Sequence, residues 1–367
     1  MFIKGMDLST LAEVERCGGR FYDHGQEGDA VAILKGYGMN LVRLRLWNDP
    51  YSAGGEPYGA GNNDLPGTME MARRVKRAGL PWMLDFHYSD FWADPGKQTI
   101  PKAWRGMGPA ELAQAVYTYT ASVLRTLVSE DLLPTVVSVG NEITRGLLWP
   151  YGKTPDFKTI ASFLNAGIRA VRETAPAAKV MLHLDNGGNN ALYRGWFDSF
   201  FAAGGRDFDL IGLSYYPFWH GSIDDLRRNM NDLALRYHKD MIVVEVSMGY
   251  TLADYANYEK LPPEKRKGMA ANSRLARDIP YPMTPEGQSR FMEELMEAIR
   301  AVPENRGRGF AYWEPAWIPV PGSGWANDAA LAYTGEKGPG GNEWANQALF
   351  DYDGNALPAL EVIRDFI

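Results

Sequence analysis

Two apolar, β-branched segments of this chain each end in a carboxylic acid. Val136-Val137-Ser138-Val139-Gly140-Asn141 leads into Glu142, and Met241-Ile242-Val243-Val244 leads into Glu245. Runs of this kind read as strands buried on both faces, so each acid is expected at a strand terminus and out of bulk water. A carboxyl taken out of water raises its pKa and keeps its proton, which is what a general acid needs. One such residue is as easily a satisfied structural glutamate. A second of the same design, about a hundred residues on, makes a working pair the better reading. Two carboxyls meeting in one pocket are the minimum equipment for hydrolysing a glycosidic bond.

The elements that must position them are legible along the whole chain. Strands are expected at 2–8, 40–47, 81–87, 135–141, 179–185, 209–215, 241–246 and 309–313, with helices at 29–37, 68–78, 109–128, 156–174, 190–203, 223–237, 285–302 and 358–366. Thr284 before Pro285 is a helix N-cap with proline in the first turn, and Ser222 with Asp225 resembles a capping box. Eight strand–helix alternations with right-handed crossovers close most simply as a single (β/α)8 barrel of α/β class, one domain spanning residues 1–367. A doubly wound sheet would want a glycine-rich phosphate loop after an early strand. Gly36-Tyr37-Gly38 precedes a strand instead. The longest irregular stretches, 51–65, 251–282 and 318–341, follow strands, which puts them on the face where barrel sites lie.

Side chains alternate along a strand, so every second residue points into the barrel. Parity puts Arg43 and Arg45 on one face of the second strand, Asp85 and His87 on one face of the third, and His183 and Asp185 on one face of the fifth. It likewise sends Ser138, Gly140 and Glu142 inward, with Ser214 and Tyr216, Val243 and Glu245, and Trp313. Structural ion pairs account for part of such a wall. Convergence of these types at many strand ends fits a site better.

A net charge of −7 and the lack of a Lys/Arg-rich block argue against nucleic acid or an anionic membrane as partner. A neutral substrate suits the composition, and with eleven Trp and nineteen Tyr there are aromatic faces to spare for sugars. Cys17, the sole cysteine, excludes an intrachain disulfide and a thiolate metal cluster. His87 and His183 lie near acids, yet without HExxH or HxH spacing; no metal and no cofactor are expected. The N-terminus enters a strand at once, without a signal-peptide segment, and no stretch approaches transmembrane length. A cytoplasmic monomer is the expectation, the alternative being a secreted protein with its signal peptide removed.

Several motifs together resemble glycoside hydrolase family 53, the arabinogalactan endo-β-1,4-galactanases, within the clan of retaining (β/α)8 glycosidases. They are the segments 2–9 (FIKGMDLS), 42–47 (VRLRLW), 84–95 (LDFHYSDFWADP), 140–142 (GNE), 212–217 (GLSYYP) and 312–317 (YWEPAW), with Val244-Glu245. Asn-Glu after the fourth strand marks only the clan; the segment 87–95 is more specific. The resemblance implies hydrolysis of galactan or derived oligosaccharides, with Glu142 as acid/base and Glu245 as nucleophile. It also implies that Asn141 binds the hydroxyl beside the reacting carbon, that Arg45 and Tyr216 flank the nucleophile, and that Trp313 floors the cleavage point. Asp85, His87 and Trp92 join the substrate-binding set, and Trp47, Trp92 and Trp219 are candidate sugar platforms. Some bacterial relatives carry a calcium loop rich in Asp and Asn after the seventh strand; here 251–282 offers Glu259, Lys260, Glu264, Lys265, Arg266 and Lys267, a mixed-charge stretch that departs from that pattern and leaves a structural calcium open. Another glycanase of the same clan, or a non-catalytic carbohydrate-binding barrel, is the alternative.

Overall fold

The computed structural model describes residues 2–255, 269–337 and 340–367; the charged stretch 259–267 weighed for calcium lies outside them. Eight parallel strands pair in sequence order and close on themselves. They are β1 (Ile3–Asp7), β2 (Leu41–Leu46), β3 (Trp82–Phe86), β4 (Val136–Val139), β5 (Lys179–Leu184), β6 (Leu210–Tyr215), β7 (Asp240–Val246) and β8 (Gly307–Tyr312). Each is followed by a helix on the outside: α1 (Ala30–Gly36), α2 (Leu65–Arg77), α3 (Pro109–Ser129), α4 (Phe157–Thr174), α5 (Asn190–Ala202), α6 (Ile223–Tyr237), α7 (Pro285–Arg300) and α8 (Ala359–Asp365). The doubly wound alternative is thereby excluded.

Helix starts are set by side-chain caps. Asp29, Asp64, Asp156, Asn189, Ser222 and Thr284 each accept a hydrogen bond from a backbone N–H of the first turn, and Ser222 and Asp225 reciprocate as a capping box. α2 begins at Leu65 rather than at 68, because Asp64 receives the Gly67 N–H at 2.8 Å and Pro66 fits the first turn; Pro-Gly here opens a helix instead of making a turn. β4 stops at Val139, two residues early, since Gly140 takes φ +92°. Two small hairpins, Phe21–Asp23 with Gln26–Gly28 and Gly146–Leu147 with Gly152–Lys153, are too short to leave a period in the sequence.

The barrel interior is layered. At the N-terminal end Leu41, Met83, Val136, Met181, Leu210, Ile242 and Val244 form a closed apolar plug. Above the plug the inward positions of β1 to β6 turn polar: Asp7, Arg43, Asp85, Ser138, His183 and Ser214, all with no exposed surface. This is the alternation expected of a barrel wall, with the apolar layer serving as foundation for the polar one.

Parity fails on β7. Leu213 pairs with Val243, but the next residue, Ser214, pairs with Glu245, so β7 carries one extra residue. This bulge lets Val244 join the inner plug and Glu245 follow it inward. Val243, expected inside, packs instead with the outer apolar layer beneath the helices.

Candidate active site

Glu142 sits just past β4. Gly140, at φ +92°, turns the chain out of the strand, and a Cβ there would meet Ile143 Cγ2 at 2.7 Å. Glu142 itself adopts φ +46°, ψ +51°, a left-handed conformation that aims its carboxyl across the barrel mouth. Asn141, between them, donates from Nδ2 to the Ala93 carbonyl at 2.8 Å. Glu142, Glu245, Asn141, Tyr216, His87, Trp92 and Trp313 all line one cavity of about 420 Å³ at the C-terminal ends of the strands.

The two glutamates are treated differently. Glu245 Oε1 accepts from Arg43 Nη2 at 2.8 Å and Oε2 from the Tyr216 hydroxyl at 3.1 Å. Among the described residues no cation pairs with Glu142; burial first, then the negative charges of Glu245 and Asp185, push its pKa well above the ordinary carboxyl value. Glu245 is also raised, to about 7, because burial and the neighbouring Asp85 and Asp7 outweigh Arg43 and the Tyr216 hydroxyl. Desolvation thus outweighs the lowering that the Arg43 and Tyr216 contacts exert. Of the pair, Glu245 is the one equipped to carry charge and Glu142 the one equipped to keep a proton.

Arg43 is the hub, and reading the sequence did not single it out. Its guanidinium reaches Asp7 at 2.7 Å, Asp85 at 2.8 Å, Asn141 Oδ1 at 2.9 Å and Glu245 at 2.8 Å. Arg45, nominated to flank the nucleophile, points elsewhere: Nη1 pairs with Glu314 at 2.5 Å, and the guanidinium lies 4.4 Å from the Trp92 ring centroid. Both arginines share the inner face, so parity could not choose between them. Glu314 is held in turn by the Thr10 hydroxyl. Arg45 and Asp85, 1% and 0% exposed, lie beneath the cavity floor, so neither is placed to touch a substrate.

His87 does face the cavity, but its nitrogens are spoken for: the Ala93 N–H donates to Nδ1 at 3.1 Å and Nε2 stands 3.2 Å from Asp85. Burial lowers its pKa despite that aspartate, so it is neutral. His183 is turned to Asn141 and Ser214. Among the described residues no group of His, Cys, Asp and Glu is arranged to hold a metal ion.

The aromatic walls come from loops. Trp313 follows β8, and the β6 loop supplies Trp219, 46% exposed, stacked on Trp344 with centroids 5.7 Å apart. Trp92 and Trp325 stack at 6.4 Å on the opposite side. Trp344 and Trp325 lie in irregular segments whose sequence gives no period to place them. Trp47, offered as a platform, is fully buried against Phe91 and Trp92, and is core.

Paired carboxyls of which one is anchored to a cation and the other is not can divide nucleophilic attack from proton delivery, and an aromatic cleft over them suits a sugar chain. The arrangement, on this barrel, is that of a glycoside hydrolase. The sequence matches glycosyl hydrolase family 53 over residues 3–363, and the chain belongs to that family. It is 37% identical to the endo-β-1,4-galactanase of Bacillus subtilis over 99% of this chain and 85% of that protein. It is 36% identical to the arabinogalactan endo-β-1,4-galactanase of Humicola insolens over 86% of this chain and 90% of that one. Among solved structures, the family 53 catalytic domain of Ignisphaera aggregans superposes with a TM-score of 0.89 at 38% identity, covering 99% of this chain and 95% of that one.

Proposed function

We propose that this protein is a retaining endo-β-1,4-galactanase, cutting β-1,4-galactosidic bonds of galactan or of oligosaccharides derived from it. The observation that carries the reading is the unequal pair: Glu245 on Arg43 and Tyr216, Glu142 without a counter-charge among the described residues, both in one aromatic cavity. Relatives of this family bearing the galactanase name at 36–37% identity supply the substrate.

In the first step Glu245 attacks the anomeric carbon, the bond to the leaving oxygen breaks, and that oxygen takes the proton of Glu142. Once Glu245 is an ester its negative charge is gone, so the pKa of Glu142 falls and its carboxylate accepts a proton from water. Water then attacks the anomeric carbon and releases Glu245, restoring both groups. Asn141, with its oxygen committed to Arg43 and one amide hydrogen to Ala93, has a second amide hydrogen for the hydroxyl next to the reacting carbon. Trp313 offers the floor beneath that sugar, and Trp219 with Trp344 a wall for the units beyond it.

The test is incubation with unbranched β-1,4-galactan and, in parallel, mannan, xylan and carboxymethyl-cellulose, following reducing ends, product lengths and the anomer first released. Galacto-oligosaccharides from galactan alone, released first as the β-anomer, support the reading. Turnover of another polymer overturns the substrate, and an α-anomer overturns the mechanism.

A further inference from the structure

Three indoles meet around one guanidinium beneath the cavity floor. Arg45 Cζ lies 4.4 Å from the ring centroid of Trp92, 5.7 Å from that of Trp313 and 5.8 Å from that of Trp47. The residue is 1% exposed and stays charged, since a guanidinium does not deprotonate in a protein. Two of its nitrogens are anchored. Nη1 donates to Glu314 Oε1 at 2.5 Å and Nη2 to the Ala60 carbonyl at 3.2 Å. Nε is buried with no hydrogen-bond acceptor among the described residues, which leaves the negative faces of the indoles to compensate it.

These partners come from separate segments. Trp92 follows β3, Ala60 follows β2, and Trp313 with Glu314 follows β8; Glu314 is held in turn by the Thr10 hydroxyl, after β1. Arg45 itself belongs to β2, so it is fixed by the barrel while the loops come to it. The rings of Trp92 and Trp313 lie 6.0 Å apart at 45°, between the stacked and edge-on arrangements in which indoles hold one another. Ring against ring therefore does not set that angle. A cation that both rings share does.

We propose that Arg45 is a positioning residue for the sugar floor: the cation beneath Trp92 and Trp313 sets the angle between the two rings, and Glu314 keeps the cation there. Both rings line the cavity that holds the two glutamates. Arg43 thus acts on the charge of the nucleophile, and Arg45 on the surface against which the sugar lies. This deepens the galactanase reading, in which Trp313 floors the cleavage point, and rests on it. Across the cleft Trp219 and Trp344 stack on each other instead, and they serve as the internal control.

The experiment is fluorine NMR of the free protein carrying 5-fluorotryptophan, with each signal identified by its loss in Trp92→Phe, Trp313→Phe, Trp219→Phe and Trp344→Phe. In Arg45→Met the Trp92 and Trp313 signals are expected to shift and broaden while those of Trp219 and Trp344 stay. KM on a galacto-oligosaccharide should rise about three- to tenfold. The acidic limb of kcat/KM should keep its midpoint, because Glu245 keeps Arg43. Arg45→Lys returns a cation beneath the rings and should bring signals and KM back toward wild type. Unchanged Trp92 and Trp313 signals, equal changes in all four, or a Lys variant no better than Met each overturn the proposal. Arg45→Met leaves Glu314 buried without its cation; if it does not fold, the same signals are read in Arg45→Met with Glu314→Gln, which removes that charge too. Because the signals are read without sugar, failure of the galactanase reading shows separately, as wild-type protein that does not cut galactan.

Discussion

Replacing Arg43 by Met should disable the nucleophile, and replacing Arg45 by Met should not. Arg43 stands 2.8 Å from Glu245, with all its neighbours buried. A unit charge lost from about 4 Å at an effective dielectric of about 20 is worth about 4 kcal/mol, or about three pH units as an upper bound. Asp7 and Asp85 lose the same partner and take up protons themselves, which relieves Glu245, so a rise of about one to three units is expected. Glu245 starts at about 7. A rise of about two units cuts its ionised fraction at pH 7 from about one half to about one in a hundred, a loss of about fiftyfold in kcat/KM. Activity should return as pH is raised, until Glu142 deprotonates. Breaking a buried ionic cluster also costs about 3–5 kcal/mol of stability, so denaturant melts belong beside the kinetics. The assay is the acidic limb of kcat/KM on a galacto-oligosaccharide for both variants. A limb that moves in Arg45→Met and stays put in Arg43→Met would refute the charge assignment.

Glu142→Gln should lower turnover of galacto-oligosaccharides by about 10²–10⁴ while largely sparing glycosyl-enzyme formation from an aryl galactoside with a good leaving group; equal losses on both would count against the acid role. Glu245→Ala should abolish both activities, with azide restoring turnover as the inverted product, and retained activity without azide would remove it as nucleophile. Glu142→Gln should also change stability. The folded-state pKa of Glu142 lies above the unfolded value of 4.5, so the folded state binds its proton more tightly. That contribution is fully present below about pH 4.5 and is lost as pH rises through the folded pKa. Wild type should therefore lose stability relative to Glu142→Gln on going from acid to neutral pH; thermal melts at pH 4 to 8 showing parallel curves would contradict this. Trp219→Ala removes a half-exposed ring that closes no core, so melting should hold while KM rises for long oligosaccharides more than for short ones.

The strands and helices were legible because each apolar run and each cap reports a local preference that the barrel does not override. Glu142, Glu245 and Asn141 were legible for a different reason: their chemistry is unusual at the end of a buried strand, wherever the side chains point. Arg43 was not, because a guanidinium spans several ångströms and parity gives the face of a residue but not the reach of its side chain. Arg43 and Arg45 are two residues apart on one face, yet the lower one meets the nucleophile while the upper one runs under Trp92 to Glu314. Trp47 is core rather than a platform on similar grounds, since exposure and burial of an indole are set by what the loops lay over it. The aromatic walls at Trp325 and Trp344 come from segments without periodicity, which only tertiary packing places.

The failures of parity gather where the backbone leaves strand geometry, and those are the places where the site is made. Tyr88, Glu142, Asn186 and Glu314, each just beyond the end of a barrel strand, all have positive φ without being glycine. The bulge at Val244 belongs to the same set. Positive φ costs a non-glycine residue about 1–3 kcal/mol, so several such residues at one rim need a rigid support. The apolar plug of Leu41, Met83, Val136, Met181, Leu210, Ile242 and Val244 supplies it from below, and Val244 is the residue the bulge adds. One insertion therefore does two things: it fills the foundation and rotates the next side chain, Glu245, into the barrel beside Arg43. A strict two-residue alternation through 242–245 could not do both, because Val244 and Glu245 would then face opposite ways.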